Sequence, residues 1–483
     1  MDFVNASPRE TAAEIVATLQ RAGFATFWVG GCVRDCLLGR APLDFDIATN
    51  AKPDQVEKLF PKTIPVGRKF GVIIVVERGQ QFQVATFRAE ADYQDGRRPG
   101  RIEFANAEAD ALRRDFTVNG LFYDPLTEKI HDWVGGESDL RARIIRTIGA
   151  PEERFGEDHL RLLRAVRFAA QLDFEIEPQT FSAIQKLAPK IKIISAERIR
   201  DELIKLFAPP SADFSLSSVG GEGRGEEADV SKIENSSPRP SPRLGGAREK
   251  NVPAARGLVL LRDSGLLKEI LPELFATIDC EQSPDFHPEG SVFNHIGLML
   301  EKMPVDADAS LPWAVLLHDI AKPVTAEKDL ATGKIHFYGH EKVGADLAET
   351  ILQRLKFPKK QTEEIVAAVR HHMQFKDVKR MRKSTLRRLL LRATFPLELA
   401  LHRLDCLGSN GNLEHYDFLV AQAEELEKMP EIIPPLLDGN ELLALGVAPG
   451  KPVGEMLHEL RERQLADEIK SADEAREWVK KNL

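Results

Sequence analysis

The sequence has few cysteines and no long apolar segment, and both features restrict the class of protein. Its 483 residues include four cysteines, Cys32, Cys36, Cys280 and Cys406, and none of them forms a Cys-x-x-Cys pair. This argues against a disulfide scaffold or a cysteine-rich zinc site and favours a reducing compartment. No run approaches the roughly 20 apolar residues of a membrane-spanning helix, and residues 1–10 lack the apolar core of a signal peptide. We therefore expect a cytoplasmic protein without a membrane partner.

The chain also lacks an excess of positive charge. It carries 66 Lys and Arg residues against 75 Asp and Glu residues, and its formal net charge is -9. This balance argues against a protein that coats nucleic acid over its whole surface. A local basic groove remains compatible with it, because phosphate contacts depend on local Lys and Arg.

Changes of pattern along the chain predict its domain organisation. Residues 1–149 mix amphipathic segments with short β-branched and aromatic runs, as in a mixed α/β domain. The strands are expected at 26–29, 44–47, 72–77 and 82–87. Residues 150–208 show helical spacing. Residues 209–252 are rich in Ser, Pro, Gly and Glu, and we expect a disordered linker or insertion there. Helical patterns return in 253–425 and in a C-terminal segment, 426–483.

A pair of carboxylates is the first candidate site. Asp44 and Asp46 flank Phe45, and residues i and i+2 of a strand point to the same face. Two carboxylates so close repel each other unless a cation lies between them, and a hard ion such as Mg²⁺ suits them. Upstream, Gly30 and Gly31 allow close approach of the backbone to a phosphate at a helix N-terminus. The alternative is a solvated Asp pair beside an unrelated turn.

The segment GGCVRDCLLGRAPLDFDIAT, residues 30–49, resembles the first motif of the class II tRNA CCA-adding nucleotidyltransferases and bacterial poly(A) polymerases. The resemblance implies a catalytic site in which Asp44 and Asp46 hold Mg²⁺. It also implies that Gly31 and Arg34 contact the nucleotide triphosphate. Related polymerases often carry a third acid on a neighbouring strand, but here Gln83 stands where it is expected.

A second motif, RRDFTVNG at residues 113–120, is close to the family's RRDFTxNA signature, with Gly120 in place of alanine. Adjacent Arg113 and Arg114 suit a triphosphate, since guanidinium pairs bidentately with phosphate oxygens. We therefore expect both to bind the nucleotide. The alternative is a solvated turn that caps a helix.

A third motif spaces charged residues along one face of a helix. Asp158, Arg161, Arg164 and Arg167 follow one another at intervals of three residues. In the family that the sequence resembles, this motif selects the incoming base without a nucleic-acid template. The resemblance implies that Asp158 and Arg161 read the base, while Arg164 and Arg167 support the nucleotide. The alternative is an exposed ladder of ion pairs, worth a few tenths of a kcal/mol each. We assign the next helix, residues 197–203, a scaffolding role.

Histidines and aspartates recur at wide intervals after residue 290. Imidazole and carboxylate ligands suit a transition or other divalent metal. The order resembles that of the HD superfamily of metal-dependent phosphohydrolases, and the surplus of histidines indicates room for a second metal. The expected ligands are His295, His318, Asp319, His340, His372 and Asp405. The choice between His371 and His372 is left open.

Together these resemblances imply a multidomain α+β protein. We expect an α/β nucleotidyltransferase head, 1–149, an all-α neck with an RNA-binding surface, 150–208, and an all-α HD domain, 253–425. The implied activity is addition of CCA, from CTP and ATP, to the 3′ end of tRNA. Alternatives are a poly(A) polymerase, a CC-adding or A-adding enzyme, and an HD phosphohydrolase with a non-catalytic RNA-binding head.

Overall fold

The computed structural model describes residues 7–91, 101–209, 252–283, 289–331, 334–428 and 434–483. The chain divides into two compact units, Met1–Pro272 and Glu273–Leu483. The expected linker, 209–252, lies outside the described residues except for its two ends. No helix among the described residues is long and apolar enough to cross a membrane.

A mixed seven-stranded sheet forms the centre of the head, in the strand order β3-β4-β5-β2-β1-β8-β9. Strands β2 and β5 run parallel, and the other neighbours run antiparallel. The strands of the head are β1 Thr26–Val29, β2 Ile47–Thr49, β3 Thr63–Ile64, β4 Val72–Glu77, β5 Gln80–Thr86, β6 Arg88–Ala91, β7 Arg101–Phe104, β8 Phe122–Asp124 and β9 Lys129–His131. Strands β6 and β7 form a separate antiparallel pair.

Apolar side chains hold this sheet against its helices. In β4 the alternation places Ile73 and Val75 in the core, as the period of two predicts. Val29, Phe87 and Phe122 belong to one buried cluster. The head helices are α1 Pro8–Arg21, α2 Gly31–Leu37, α3 Pro53–Leu59, α4 Ala107–Leu112 and α5 Gly136–Ala142. The predicted α/β head is therefore confirmed.

The second strand differs from the sequence prediction. We expected a strand over 44–47, but β2 begins at Ile47. Asp44 and Asp46 lie in the extended segment that leads into β2, where the Val29 N–H still donates to the Asp46 carbonyl at 3.0 Å. The hydrogen-bonded ladder does not continue towards Asp44, because Asp44 is exposed to solvent beyond the end of the strand.

The neck is helical, with a small parallel pair of strands at its base. Its helices are α6 Pro151–Glu157, α7 Leu160–Leu172, α8 Pro178–Leu187 and α9 Ala196–Phe207. Strand β10, Ile144–Ile145, pairs with β11, Glu175–Ile176, so the neck is not entirely α.

Two further helices belong to the first unit, although we had expected a new domain from residue 253. Helix α10, Pro253–Asp263, packs on α7 and α9, and α11, Leu266–Ile270, packs on the 3₁₀ turn Ala188–Ile193. Leu258 and Leu261 of α10 are fully buried. The boundary between the two compact units therefore lies at Pro272.

The second unit is a helical bundle with one short hairpin. Its helices are α12 Pro272–Phe275, which spans the boundary, α13 Val292–Glu301, α14 Leu311–Leu317, α15 Lys322–Thr325, α16 His340–Arg354, α17 Lys359–His371, α18 Lys383–Leu390, α19 Phe395–Gly408, α20 Glu414–Glu427, α21 Gly439–Ala444, α22 Lys451–Leu465 and α23 Ala472–Lys481. The hairpin joins β12, Glu327–Lys328, to β13, Ile335–His336, so the expected all-α domain carries one small sheet.

Candidate functional site

The turn between β1 and α2 brings backbone to the edge of the sheet. Gly30 has φ of +74°, a conformation that side chains rarely adopt, and it allows the chain to turn directly from strand into helix. Gly31 begins α2 and is buried. The sequence predicted this close turn from the Gly-Gly pair.

Asp46 is a buried carboxylate next to an exposed one. It is 4% exposed, and its Oδ2 has no hydrogen-bond partner among the residues that the structure describes. Burial, helped by the charge of Asp44 and opposed by Arg114, raises the pKa of Asp46 to about 7. A buried carboxylate oxygen without a partner, beside a second carboxylate, fits a divalent cation.

The neighbouring strand supplies an amide and not a third acid. In the parallel register of β2 and β5, Ile47 lies opposite Val84. Extending the register by one residue places Gln83 beside Asp46, where we expected a third carboxylate. The structure therefore offers two carboxylates at this position of the sheet edge.

A chain of buried polar contacts connects the three motifs of the first unit. The guanidinium of Arg34 donates to Asn119 Oδ1 at 2.6 Å, and Asn119 Nδ2 donates to Asp115 at 3.1 Å. Asp115 accepts from Arg164 at 2.9 and 2.6 Å. Burial alone would raise the pKa of Asp115, but Arg164 outweighs it and lowers this pKa. Sequence analysis singled out the arginines but missed the role of Asn119 as their link.

Arg113 and Arg114 share one acid. Arg113 Nε donates to Asp110 Oδ1 at 2.9 Å, and Arg114 donates to Asp110 Oδ2 at 3.2 Å. Asp110 is 1% exposed, so both guanidinium groups are anchored to a buried carboxylate on α4. The solvated turn that was the alternative is not present, because Arg114 is itself buried.

The two residues expected to read the base have different partners. Arg161 donates to Glu157 at 2.5 Å and to the carbonyl of Arg154 at 3.0 Å. Asp158 accepts from Arg198 of α9 at 2.8 and 3.4 Å. Both side chains are nearly buried, so the exposed ion-pair ladder is excluded for them. Sequence analysis assigned Arg198 only to a scaffold helix.

Arg164 and Arg167 point towards the interior of the neck. Arg167 is 1% exposed, and its Nε donates to Glu202 Oε2 at 2.6 Å. Arg164 lies 3.6 Å from the same carboxylate and also binds Asp115. The guanidinium of Arg167 is enclosed by protein, so the support of the nucleotide by Arg167 stays a prediction and would have to be indirect.

The second unit contains two groups of potential metal ligands. In the first group, ligand atoms of His295, His318 and Asp405 lie within 4.8 Å of one another, and in the second those of Asp319, His340 and His372 do so. The adjacent pair His318-Asp319 connects the two groups at the end of α14. These are the six residues that the sequence pattern indicated, and their convergence depends on helices α13, α14, α16, α17 and α19.

Backbone carbonyls orient three of the imidazole rings. The Nδ1 atoms of His318, His340 and His372 lie 2.9, 2.7 and 2.6 Å from the carbonyl oxygens of Val315, Phe337 and Val369. An N–H donated from Nδ1 leaves Nε2 as a free base, which is how metal-binding histidines are usually held. The residues present thus fit a divalent metal.

His371 is directed away from this cluster. Its Nδ1 lies 3.1 Å from Glu398 Oε1, whereas His372 Nε2 lies 3.2 Å from His340 Nε2. Burial, together with the neighbouring His318, lowers the pKa of His372 to about 4. The geometry therefore favours His372, and not His371, as the ligand.

Comparison with known families places these sites in context. Models of the poly A polymerase head domain, of a probable RNA and SrmB-binding site of polymerase A, and of the HD domain match residues 26–146, 173–217 and 291–407. Three separate regions of the chain therefore match domains of the nucleotidyltransferases that the sequence resembles, with the HD-domain match following the neck.

Over part of its length, the chain is similar to CCA-adding enzymes. It is 48% identical to the CCA-adding enzyme of Geobacillus kaustophilus over 217 residues, 45% of this chain and 54% of that protein. It is 46% identical to the enzyme of Staphylococcus saprophyticus over 198 residues. The chain spans about half the length of the curated relatives it matches.

Solved structures extend the likeness in fold over the whole chain. The Bacillus stearothermophilus CCA-adding enzyme in complex with CTP matches with a TM-score of 0.69 and 25% identity, covering 99% of this chain and 98% of that one. The Thermotoga maritima CCA-adding enzyme complexed with tRNA matches with a TM-score of 0.53 and 18% identity, covering 100% and 97%. The predicted fold class is confirmed.

Proposed function

We propose that this chain adds CCA, from CTP and ATP, to the 3′ end of tRNA in the cytoplasm. The observation that carries the proposal is the buried Asp46 beside Asp44, held at the sheet edge next to the Gly30 turn. The similarity to CCA-adding enzymes in sequence and fold supports it.

Asp44 and Asp46 are the residues that we propose to hold Mg²⁺. When bound there, Mg²⁺ supplies Lewis-acid activation of the RNA 3′-hydroxyl and charge neutralisation at the leaving pyrophosphate. The chain itself contributes orientation. Gly31 presents backbone to the triphosphate, and Arg113 and Arg114, anchored on Asp110, donate to its oxygens. Arg34 and Arg164 hold these elements together through Asn119 and Asp115.

We propose that Asp158 and Arg161 select the base. A carboxylate accepts an N–H and a guanidinium donates two, so together they complement the edge of cytosine or adenine. Both side chains are held in place by protein partners, which lowers the cost of recognition. The neck matched by the RNA-binding model is the proposed contact surface for tRNA.

The test is nucleotide incorporation into tRNA transcripts that end before CCA, after CC, and after CCA, each with CTP, ATP or both. Addition of C, C and A followed by a stop is expected. Addition of C alone or A alone would assign the chain to a CC-adding or A-adding enzyme. Long A tails would mean a poly(A) polymerase, and no addition would overturn the proposal.

Asp46→Asn provides the sharpest variant of this assay. It keeps the shape of the side chain but removes the charge, so incorporation should fall about a thousandfold or more, about 4 kcal/mol of transition-state stabilisation. Thermal unfolding should show the head at least as stable as before, because a buried charge without a partner is lost. Retained incorporation in the folded variant would refute the assignment.

For the second unit we propose a metal-dependent phosphohydrolase activity, carried by the two groups of ligands around His318 and Asp319. The order of the ligands and the HD-domain match support this activity. The substrate class that we propose is a phosphomonoester or a 2′,3′-cyclic phosphate. The full chain, loaded separately with Mn²⁺, Ni²⁺ or Mg²⁺, should hydrolyse 2′,3′-cyclic AMP. Loss of this activity in Asp319→Asn is expected, and equal activity in the variant would contradict the proposal.

A further inference from the structure

Arg198 contacts the carboxylate to which we assign base recognition. Its Nη2 donates to Asp158 Oδ2 at 2.8 Å, and its Nη1 lies 3.4 Å from Oδ1. The two residues are 40 positions apart, on α9 and at the junction of α6 and α7. The side chains are 18% and 7% exposed, so the ion pair is largely shielded from solvent.

This contact restricts how Asp158 can receive a ligand. Asp158 Oδ1 also accepts from the Leu160 N–H at 3.0 Å, so both carboxylate oxygens are engaged by protein donors. An ionised carboxylate has about four acceptor positions, and one or two of them stay available for a further N–H donor. The plane of the carboxylate is set by Arg198, because a guanidinium fork imposes its own geometry.

We propose that Arg198 is a positioning residue for nucleotide selection, one that holds the Asp158 carboxylate in place to accept the amino group shared by cytosine and adenine. Uracil and guanine present a carbonyl oxygen at the corresponding position. A carboxylate that cannot rotate away opposes that oxygen with an acceptor, which disfavours UTP and GTP. The inference rests on the proposed function and concerns a residue outside the motif that reads the base.

A merely structural role of Arg198 would have different consequences. If the ion pair only fastened α9 to the start of α7, removing it would lower stability without changing the choice among nucleotides. Discrimination between CTP and UTP therefore distinguishes the two roles. Arg200 offers a matched control, because it lies on the same helix and pairs with its neighbour Asp201 at 2.8 Å.

The experiment uses the full chain with Arg198→Met, Arg198→Lys and Arg200→Met, and measures kcat and KM for each nucleoside triphosphate on tRNA transcripts. In Arg198→Met, discrimination of CTP over UTP should fall at least about tenfold, ~1.4 kcal/mol, with the loss mainly in KM. Arg198→Lys keeps the charge and should restore part of the discrimination. Arg200 lies in the proposed tRNA contact surface, so Arg200→Met is compared only in its discrimination of CTP over UTP, which should stay within about twofold of the unchanged chain. Equal discrimination in Arg198→Met and Arg200→Met would overturn the inference.

A double-mutant cycle tests whether Arg198 acts through Asp158. In an Asp158→Ala background, Arg198→Met should cause no further loss of discrimination, because the positioned group is gone. An equal loss in both backgrounds would overturn the inference and leave the proposed function intact. Unchanged selectivity in Asp158→Ala itself would instead refute base recognition by Asp158, and the role of Arg198 with it.

Discussion

The arginines of α7 are enclosed by protein. The carboxylates that pair with them determine how much stability a substitution removes. Arg167 cannot lose its proton at accessible pH, so its buried charge needs a fixed counter-ion. Glu202 supplies it at 2.6 Å and lies 3.6 Å from Arg164 as well. Burial alone would raise the pKa of Glu202, but Arg167 and Arg164 outweigh it and lower the pKa.

Glu202→Gln should destabilise the first unit by about 3 kcal/mol, because the buried charge of Arg167 is left without a counter-ion. Urea unfolding, followed by the transition of the first unit, measures the change. Glu197→Gln is the matched control on the same helix, since Glu197 is exposed, and its effect should stay within about 0.5 kcal/mol. A similar cost for both variants would contradict the assignment.

The ion pair of Arg167 and Glu202 also predicts how the stability of the first unit changes with pH. Because the folded pKa of Glu202 lies below its ordinary value of 4.5, its stabilisation is complete above that pH. It is lost as the pH falls through the folded pKa. The difference in stability between the unchanged chain and Glu202→Gln should therefore be constant from about pH 7 to pH 6 and shrink towards about pH 3.5. A stability difference between the two proteins that grows as the pH falls would contradict a lowered folded pKa of Glu202.

At the scale of elements, Gly120 illustrates how a departure from a family motif is accommodated. A Cβ at this position would lie 2.6 Å from Val134 Cγ2 and 3.1 Å from Ile148. Val134 is β-branched and short, so it cannot easily move aside. The packing beneath the RRDFTVNG segment therefore accounts for glycine where the family usually has alanine.

The packing of α10 on the neck provides the prediction at this scale. A Cβ on Gly257 would lie 2.5 Å from Leu206 Cδ1, and Leu206 is fully buried. Gly257→Ala should therefore destabilise the first unit by about 1–2 kcal/mol, although alanine favours a helix by about 1 kcal/mol.

Gly454→Ala is the control for that helix propensity, because nothing lies within 4 Å of a Cβ on Gly454 in α22. It should be neutral or stabilise by up to about 1 kcal/mol in thermal unfolding. If Gly257→Ala also stabilised the chain, α10 would not pack on the neck as described.

At the scale of the whole molecule, metal binding is the property to test in the second unit. Six ligand residues, five of them buried and Asp405 partly exposed, form two groups there, so the second unit should bind two divalent ions besides any held at Asp44 and Asp46. Ions that bind only the folded unit raise its free energy of unfolding. For one site the increase is about 2.7 kcal/mol when the ion concentration is a hundred times the dissociation constant. Chelation by EDTA should reverse this rise.

His340→Asn should lower the number of bound ions by one, because His340 belongs to the second group alone. Metal analysis of the dialysed protein measures the ratio of metal to protein. His336→Asn, on β13 and outside both groups, is the control and should bind as many ions as the unchanged chain. An unchanged number of ions in His340→Asn would exclude that residue as a ligand.

The amino-acid sequence by itself determined the motifs, because each depends on neighbours within a few residues. The Gly-Gly turn and the Asp44–Asp46 pair can be read from such local patterns, whereas the histidines are recognised by their order between His295 and Asp405. The resemblance to the family followed from both. Four strands of the head, β1, β2, β4 and β5, were placed to within three residues at each end for the same reason, whereas β3 and β6 to β9 were not predicted. Helical periodicity could not show that α10 belongs with the neck, since all helices of this chain share that pattern.

Only the tertiary structure decided which charged groups meet. Arg198 reaches Asp158 across 40 residues and Arg164 reaches Asp115 across 49, and both pairs depend on how α7 packs against α9 and the head. The choice of His372 over His371 depends in the same way on which face of α17 turns inward. No local sequence pattern specifies such partners, because the counter-ion of a buried charge is the oppositely charged group that tertiary packing places in contact with it.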